Sequence, residues 1–400
     1  MEISLSQRVS RIKPSPTLAV TAKAAELKAQ GIDVLSLGAG EPDFDTPEHI
    51  KEAARKAINS GFTKYTAVGG TPGLKAAVAA KMKRDNALEY KANQILVSAG
   101  GKQSCFNLCQ AWLNDGDESV IPAPYWVSYP DMVLLAGGKP VFIPTTAAAR
   151  FKITPEQLER AITPKTRLFW INSPSNPSGM AYSKAELAAL GAVLRKHPRV
   201  LIATDDMYEK IMWTGEPFAN IINACPDLYD RTVVIHAASK TYSMTGWRIG
   251  WACGPAKLIT AMADIQSQST SNPNSIAQVA TEAALNGDQA CVTEMVKAFK
   301  ARHDMLVKDL NAIPGVKCEP GDGTFYAFPT FDGLMKQLGC KDDLELADVL
   351  LQKARVAVVP GSAFGAPGYM RLSFATSDKV LKEAAARIKA LAMQGAAVAA

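Results

Sequence analysis

The segment His236-Ala-Ala-Ser-Lys-Thr-Tyr-Ser-Met-Thr-Gly-Trp-Arg-Ile-Gly250 leaves an apolar run, Thr232–His236, and breaks into small and hydroxyl residues around Lys240. A lysine just after an apolar strand is partly desolvated, which lowers its pKa and frees the amine for Schiff-base chemistry. Arg248 follows eight residues later. With the hydroxyls of Ser239, Thr241 and Ser243 it makes a candidate phosphate site, the guanidinium acting as a bidentate donor. The plainer alternative is a surface lysine after a strand. Ser98-Ala-Gly-Gly-Lys-Gln103 lies between an apolar strand and an apolar helix, an arrangement that presents unpaired N–H groups to an anion, although Gly-Gly is also a common simple turn. It lacks G-x-G-x-x-G and the G-K-[ST] ending, so neither a dinucleotide fold nor a P-loop is supported. Asn172-Ser-Pro-Ser-Asn-Pro-Ser-Gly179 reads as an irregular loop with free amides or as a Pro-rich turn. At Ala203-Thr-Asp-Asp-Met-Tyr208 a carboxylate at a strand end is costly unless a cation or proton faces it, which Asp205 beside a pyridinium nitrogen would satisfy; the alternative for Asp205-Asp206 is a helix N-cap pair.

Short apolar runs ending in Gly, Pro or Asn alternate with stretches of helical period, the pattern of α/β construction. Strands are predicted at 94–98, 119–121, 140–143, 166–172, 200–204 and 232–236, with a further N-terminal strand in the run DVLSLGAGEPDF. Helices are predicted at 47–59, 72–86, 101–112, 129–135, 184–196 and 280–310. Within 72–86, Leu74, Ala77, Val78 and Met82 form one apolar stripe, which reads as core, with Lys75, Lys81 and Lys83 left for solvent. Late strands in RVAVVPGSAFG and YMRLSFAT follow the long helix and imply a second, smaller domain. Thr145–Arg150 and the Ala-rich tail read as a surface loop and a frayed end.

The remaining composition narrows the class. Four hundred residues, 48% apolar and 20% charged, suffice for a full core, and a net charge of +6 without a run of like charges gives no nucleic-acid footprint. Seven Cys without a C-x-x-C pair and only four His argue against a disulfide framework and a metal site. No secretory signal and no apolar run of membrane-spanning length is present, so the expectation is a cytoplasmic protein.

These segments together resemble the fold-type I pyridoxal-phosphate enzymes, specifically the class I aminotransferases, over nearly the full length. The nearest similarity is to bacterial aspartate aminotransferases carrying A-G-E-P-D-F-D-T-P, P-Y-W-V-S-Y-P and M-T-G-W-R-I-G, which stand here at 39–47, 124–130 and 244–250. The resemblance implies an α/β fold: a large domain (46–290) with a mostly parallel seven-stranded sheet sandwiched by helices, and a smaller α+β domain from both chain ends (1–45 and 291–400). It implies pyridoxal 5'-phosphate as cofactor and a homodimer with shared sites. Lys240 resembles the Schiff-base lysine and proton shuttle. Asp205 resembles the acid that keeps the pyridine ring protonated, and Tyr208 and Asn176 the donors to its ring oxygen. Gly100, Gly101, Lys102, Ser239 and Arg248 match the phosphate cup, Trp126 the stacking aromatic, and Tyr65 a tyrosine supplied by the partner subunit. Arg371, with Gly40 and Asn176, resembles the clamp on the substrate α-carboxylate; Lys102, Ser15 and Thr17 match the distal-carboxylate positions, with Trp126 also beside the substrate. Ala237 departs from the family's frequent hydroxyl or glycine three residues before the lysine, and Ser271 is a further candidate for a phosphate contact across the dimer. The implied activity is ping-pong transamination of aspartate or glutamate with 2-oxoglutarate or oxaloacetate. The alternatives are a prephenate or aromatic aminotransferase, a lyase on this architecture, and a non-catalytic relic, against which the intact residue set argues.

Overall fold

The computed structural model of the chain describes residues 3–14 and 16–399. Its strands are β1 (Leu35–Ser36), β2 (Ile95–Ser98), β3 (Glu118–Pro122), β4 (Lys139–Ile143), β5 (Thr166–Asn172), β6 (Leu201–Asp205), β7 (Thr232–Ala237), β8 (Gly250–Cys253), β9 (Tyr326–Ala327), β10 (Val356–Ala357), β11 (Val359–Pro360) and β12 (Met370–Ser373). Seven of them form one sheet in the order β2-β8-β7-β6-β5-β3-β4. β8 alone runs antiparallel, against both β2 and β7; the other pairings are parallel. All residues of β2, β6 and β7 are buried, as expected of strands covered on both faces.

Alternate residues of each strand feed two cores. Ile95, Val97, Phe169, Ile171, Ile202 and Val234 join a cluster with helices Pro72–Asn86, Lys184–Lys196 and Ser275–Asn286. Leu96, Leu168, Trp170, Leu201 and Ile235 face the helices Gly101–Trp112 and Ala256–Ser267. Burying each such side chain contributes about 1.5–3 kcal/mol before entropy is counted. The stripe Leu74, Ala77, Val78 and Met82 is buried, and its helix begins where Thr71 accepts the Leu74 N–H at 3.2 Å, with Pro72 in the first turn.

Register brings the chemistry to one edge. Ser98 and Ala237 both pair with Gly250, and Asn172 pairs with Asp205. The loops that follow β2, β5, β6 and β7 therefore open at the carboxyl ends of parallel strands, the position where open α/β sheets bind ligands. A third core contains Leu37 from near the N-terminus together with Phe299, Phe325, Leu372 and Leu381. Here β9, β12 and β11 form an antiparallel sheet, and β1 pairs in parallel with β10. That pairing carries Gly38 and Gly40 to the same edge as Arg371.

Four expectations need correction. The helix expected over 280–310 is two helices, Ser275–Asn286 and Ala290–Asn311. Gly287 is extended between them, a Cβ there would lie 2.7 Å from Ala283 O, and Asp288 caps the Ala290 N–H at 3.0 Å. β8 escaped the periodicity reading because four residues between motif and turn carry too little pattern. The strand expected in DVLSLGAGEPDF is only Leu35–Ser36. The Ala-rich tail continues the helix Asp378–Ala399, in keeping with alanine's high helix propensity.

Candidate active site

The loops at the carboxyl edge enclose a cavity of about 270 Å³. Lys240 sits in a single helical turn, Ala238–Thr241, directly after β7, and its Nζ donates to Gly40 O at 2.5 Å. Burial lowers its pKa to about 8; Glu41 opposes this, while Arg248, Arg371 and Lys102 add to it. Asp205, the last residue of β6, lies in the floor. Burial raises its carboxyl to about 6, against the stabilising hydrogen bonds from Tyr129 Oη (2.5 Å) and the Met207 N–H (3.3 Å). Asn172 Nδ2 donates to Asp205 O at 2.8 Å and its Oδ1 accepts the Asn176 N–H at 2.8 Å, so one side chain ties the β5 loop to β6. The N-cap reading fails for Asp206: it is buried, and its oxygens accept from Thr204 Oγ1 (2.6 Å) and Asn220 Nδ2 (2.8 Å).

Beneath this floor is a buried ionic cluster. Glu209 pairs with Lys81, accepts from Asn86 Nδ2 at 2.7 Å and meets His236 Nε2 at 3.3 Å, with the Lys81 and Glu209 side chains 2% exposed. Burial alone would raise the Glu209 carboxyl, but the Lys81 charge and His236 hold it well below the usual range. His236 Nδ1 accepts the Ala237 N–H at 2.8 Å, which assigns the imidazole proton to Nε2, and the ring stacks on Trp251. The cluster joins the helix Pro72–Asn86, the loop carrying Tyr208, and the strand that delivers Lys240.

At one end of the cavity, Gly100 has φ +89 and precedes the helix Gly101–Trp112. A Cβ on Gly100 would lie 2.4 Å from Arg248 Nη2, and one on Gly250 would lie 2.3 Å from Gly101 N. The guanidinium is held by Thr245 O (2.8 Å) and Ala99 O (3.3 Å) beside the helix N-terminus. Cation and exposed N–H groups together suit an anion. Ser239 lines the cavity, whereas Thr241 is buried and Ser243 turns its hydroxyl to Met295 Sδ at 3.6 Å, because one helical turn aims only part of its residues inward. Ala237 is fully buried.

At the other end Arg371, 2% exposed, donates to Asn176 Oδ1 (3.0 Å) and Gly38 O (2.8 Å). Its guanidinium lies 4.4 Å from the Tyr326 ring centroid and 5.1 Å from that of Phe364, and its Nε has no hydrogen-bond partner among the described residues. Lys102 Nζ lies 5.1 Å from the Trp126 ring centroid, and both residues, with Gly40, Thr17 and Tyr208, line the cavity. Ser15 lies outside the described residues. Tyr65 is 92% exposed, and neither it nor Ser271 (φ +61) lines the cavity.

Sequence reasoning gave no role to Tyr129, Tyr326 or Met207, and read Asn172 only as part of a loop with free amides. Tyr129 stands inside the string at 124–130, so a polar tip three residues, one helical turn, after the cavity-lining Trp126 was a usable signal. Tyr326 had only its neighbour Gly323 and an aromatic run to mark it.

The family model "Aminotransferase class I and II" matches residues 32–388. The chain is 62% identical over 395 residues to an aspartate/prephenate aminotransferase of Nitrosomonas europaea, covering 97% of this chain and all of that protein. It is 50% identical over 386 residues to an aspartate aminotransferase of Geobacillus stearothermophilus, covering 96% and 98%. Among solved structures, the aspartate aminotransferase of Rhizobium meliloti superposes with a TM-score of 0.94 at 48% identity (97% and 98% covered), and that of Thermus thermophilus with maleate at 0.92 and 43% (98% and 100%). Sequence and fold thus agree across nearly the whole length, and the chain belongs to the class I and II aminotransferases.

Proposed function

We propose that the chain is a pyridoxal-phosphate-dependent transaminase that moves the amino group of L-aspartate or L-glutamate to 2-oxoglutarate or oxaloacetate by a ping-pong mechanism. The observation that carries this reading is Lys240: a buried amine, lowered to about 8, in one cavity with a buried carboxylate and two arginines. The donor set fits the cofactor. Asp205 is a buried carboxylate with no cation paired to it among the described residues, as a pyridinium partner requires. Gly100 keeps open the space between Arg248 and the helix start, as a phosphate requires. Arg371 Nε points an unpartnered N–H edge for a carboxylate.

Pyridoxal phosphate, when bound, supplies the electron sink for charge left at the substrate Cα. Lys240 anchors the group and moves the proton from Cα, a role that contributes about 100- to 10,000-fold by itself. Asp205 holds the proton on the ring nitrogen, and Tyr208 and Asn176 hold the ring oxygen. Gly100, Gly101, Lys102, Ser239 and Arg248 hold the phosphate, and Trp126 covers the ring. Arg371 clamps the α-carboxylate with Gly40 and Asn176. The distal carboxylate falls to Lys102, Thr17 and Ser15, a reading supported by the dicarboxylate maleate in the Thermus thermophilus structure. A second reading, prephenate as amino acceptor, is supported by the name of the Nitrosomonas europaea relative, prephenate being a dicarboxylate too. A panel of amino donors and oxo acids with added pyridoxal phosphate tests both. Turnover with a monocarboxylate donor but with neither aspartate nor glutamate would overturn the acidic-substrate reading.

We also propose the two-domain division at 46–290 and 1–45 with 291–400, supported by the separate cores around β2–β8 and β9–β12. A homodimer in which Tyr65 serves the partner's site is supported by that side chain's 92% exposure. Restored activity on mixing Tyr65→Phe and Lys240→Ala chains checks the sharing. A cytoplasmic location accords with the cysteine usage, and no helix among the described residues is long and apolar enough to cross a membrane.

A further inference from the structure

Tyr326 lines the cavity with its ring against Arg371 but holds neither cofactor nor substrate in the proposed function, and its surroundings bring both ends of the site together. It opens β9, pairs with Ser373 of β12, and is 1% exposed while still lining the cavity. Its hydroxyl lies 3.2 Å from the Tyr208 hydroxyl. Its ring face carries the Arg371 guanidinium at 4.4 Å. A Cβ on Gly40 would lie 3.1 Å from the same hydroxyl, at the residue whose carbonyl accepts from Lys240.

We propose that Tyr326 is a positioning residue that couples the two ends of the site, its ring fixing the Arg371 guanidinium and its hydroxyl donating to Tyr208 so that the Tyr208 proton is left for the cavity. A phenol has one proton to give. If Tyr208 spent its own on Tyr326 it would have none for the ring oxygen; if it accepts instead, its own donation is strengthened, since hydrogen bonds in a chain polarise one another. The ring contribution is separate, because a guanidinium over an aromatic face in a dry site is held by the ring quadrupole with no need of the hydroxyl. The titratable and charged groups that face Tyr326 are Arg371 from β12, Tyr208 from the loop after β6 and Glu41 from the N-terminal segment; Asp205 and Arg371 also face Tyr208.

The inference rests on the pyridoxal-phosphate reading and is tested so that the two can fail separately. Tyr326→Phe removes the hydroxyl and keeps the ring; Tyr326→Leu removes both. Each purified variant is reconstituted with pyridoxal phosphate, and its visible absorbance is titrated with pH alongside measurement of KM and kcat for aspartate. Weaker donation from Tyr208 favours the protonated chromophore, so Tyr326→Phe is expected to move the absorbance midpoint up by about 0.5 unit, the scale of one modest hydrogen bond, with KM within about twofold of wild type. Tyr326→Leu is expected to show the same shift and to raise KM about tenfold as Arg371 loses its platform. In a Tyr208→Phe background, Tyr326→Phe is expected to leave the midpoint where it is, which a general loosening of the fold would not do. A Tyr326→Phe protein that binds the cofactor but titrates at the wild-type pH overturns the coupling and leaves the cofactor reading standing. A KM rise as large in Tyr326→Phe as in Tyr326→Leu overturns the division between ring and hydroxyl. Absence of cofactor absorbance in the wild-type chain overturns the cofactor reading itself.

Discussion

Tyr129→Phe isolates the hydrogen bond that keeps Asp205 ionised. The substitution removes one hydroxyl, 2.5 Å from Asp205 Oδ2, and leaves the ring stacked on Trp170 at 4.5 Å. A hydrogen bond to a charged group is worth about 1.5–3 kcal/mol, and one pKa unit is 1.36 kcal/mol, so the loss corresponds to about 1–2 units. The Asp205 carboxyl, at about 6 in the intact protein, would then rise to roughly 7–8. Burial is the larger influence and is unchanged. The other groups around Asp205 are the Met207 N–H, Tyr208 and the buried Cys105 thiol, and none replaces the lost donor. At pH 7 the ionised fraction falls from about 90% to between about 50% and 10%. Because apparent affinity scales with the competent fraction, cofactor binding weakens about two- to tenfold at pH 7. It recovers by about pH 9, where both carboxyls are ionised. Equilibrium titration of the apo-protein with pyridoxal phosphate from pH 5.5 to 9, followed by absorbance, reads this directly. Curves that run parallel to wild type, or a loss equal at every pH, refute the reasoning.

Other outcomes follow from the same geometry. Lys240→Ala is expected to abolish steady-state transamination; retained turnover in a donor assay would place the proton shuttle elsewhere. Arg371→Leu removes a buried charge from a carboxylate clamp, and a loss of about 2–5 kcal/mol predicts a kcat/KM lower by about 30- to 5,000-fold for amino and oxo acids alike. For Asp205→Asn the sign reverses for stability. A carboxyl raised from 3.8 to about 6 gives stability that is fully present below pH 3.8 and lost as pH rises through 6. The apo-variant is therefore expected to be more stable than wild type at pH 8, by up to about 3 kcal/mol, and similar at pH 4, as read by thermal unfolding while activity is lost. Lys81→Met leaves the buried Glu209 without its cation, facing only Asn86 and His236, at a cost of up to about 3–5 kcal/mol in denaturant unfolding; an unchanged midpoint would show the ionic cluster to be dispensable.

Much of the site is legible along the chain because its residues sit at element ends, where a period stops and a polar residue is conspicuous. Asp205 closes an apolar strand, Lys240 stands in the turn just after one, and Gly100–Gly101 separates a strand from a helix. Their joint placement follows from strand register, which periodicity does not encode. Residues that act from inside an element are harder to see. Tyr129 and Tyr326 look like core aromatics, and they are core aromatics whose hydroxyls face polar groups. The Lys81, Glu209 and His236 cluster draws on positions far apart in the chain, and Lys81 reads as a solvent-facing residue of an amphipathic helix until a buried carboxylate is placed opposite it. The split of the helix expected over 280–310 turned on Gly287, whose cost within a helix is small enough to be overlooked.

The contact between Gly250 and Gly101 is main chain against main chain, between strands and helices brought together across about 150 positions of sequence. Nothing at that junction can be exchanged for a larger residue without separating β8 from the helix start. Change in what the cavity accepts is less constrained away from that junction, where Thr17 and Trp126 line it with side chains that can be replaced one at a time. A redesign of substrate range on this scaffold has its freedom there, with the anion-holding end serving as the invariant frame.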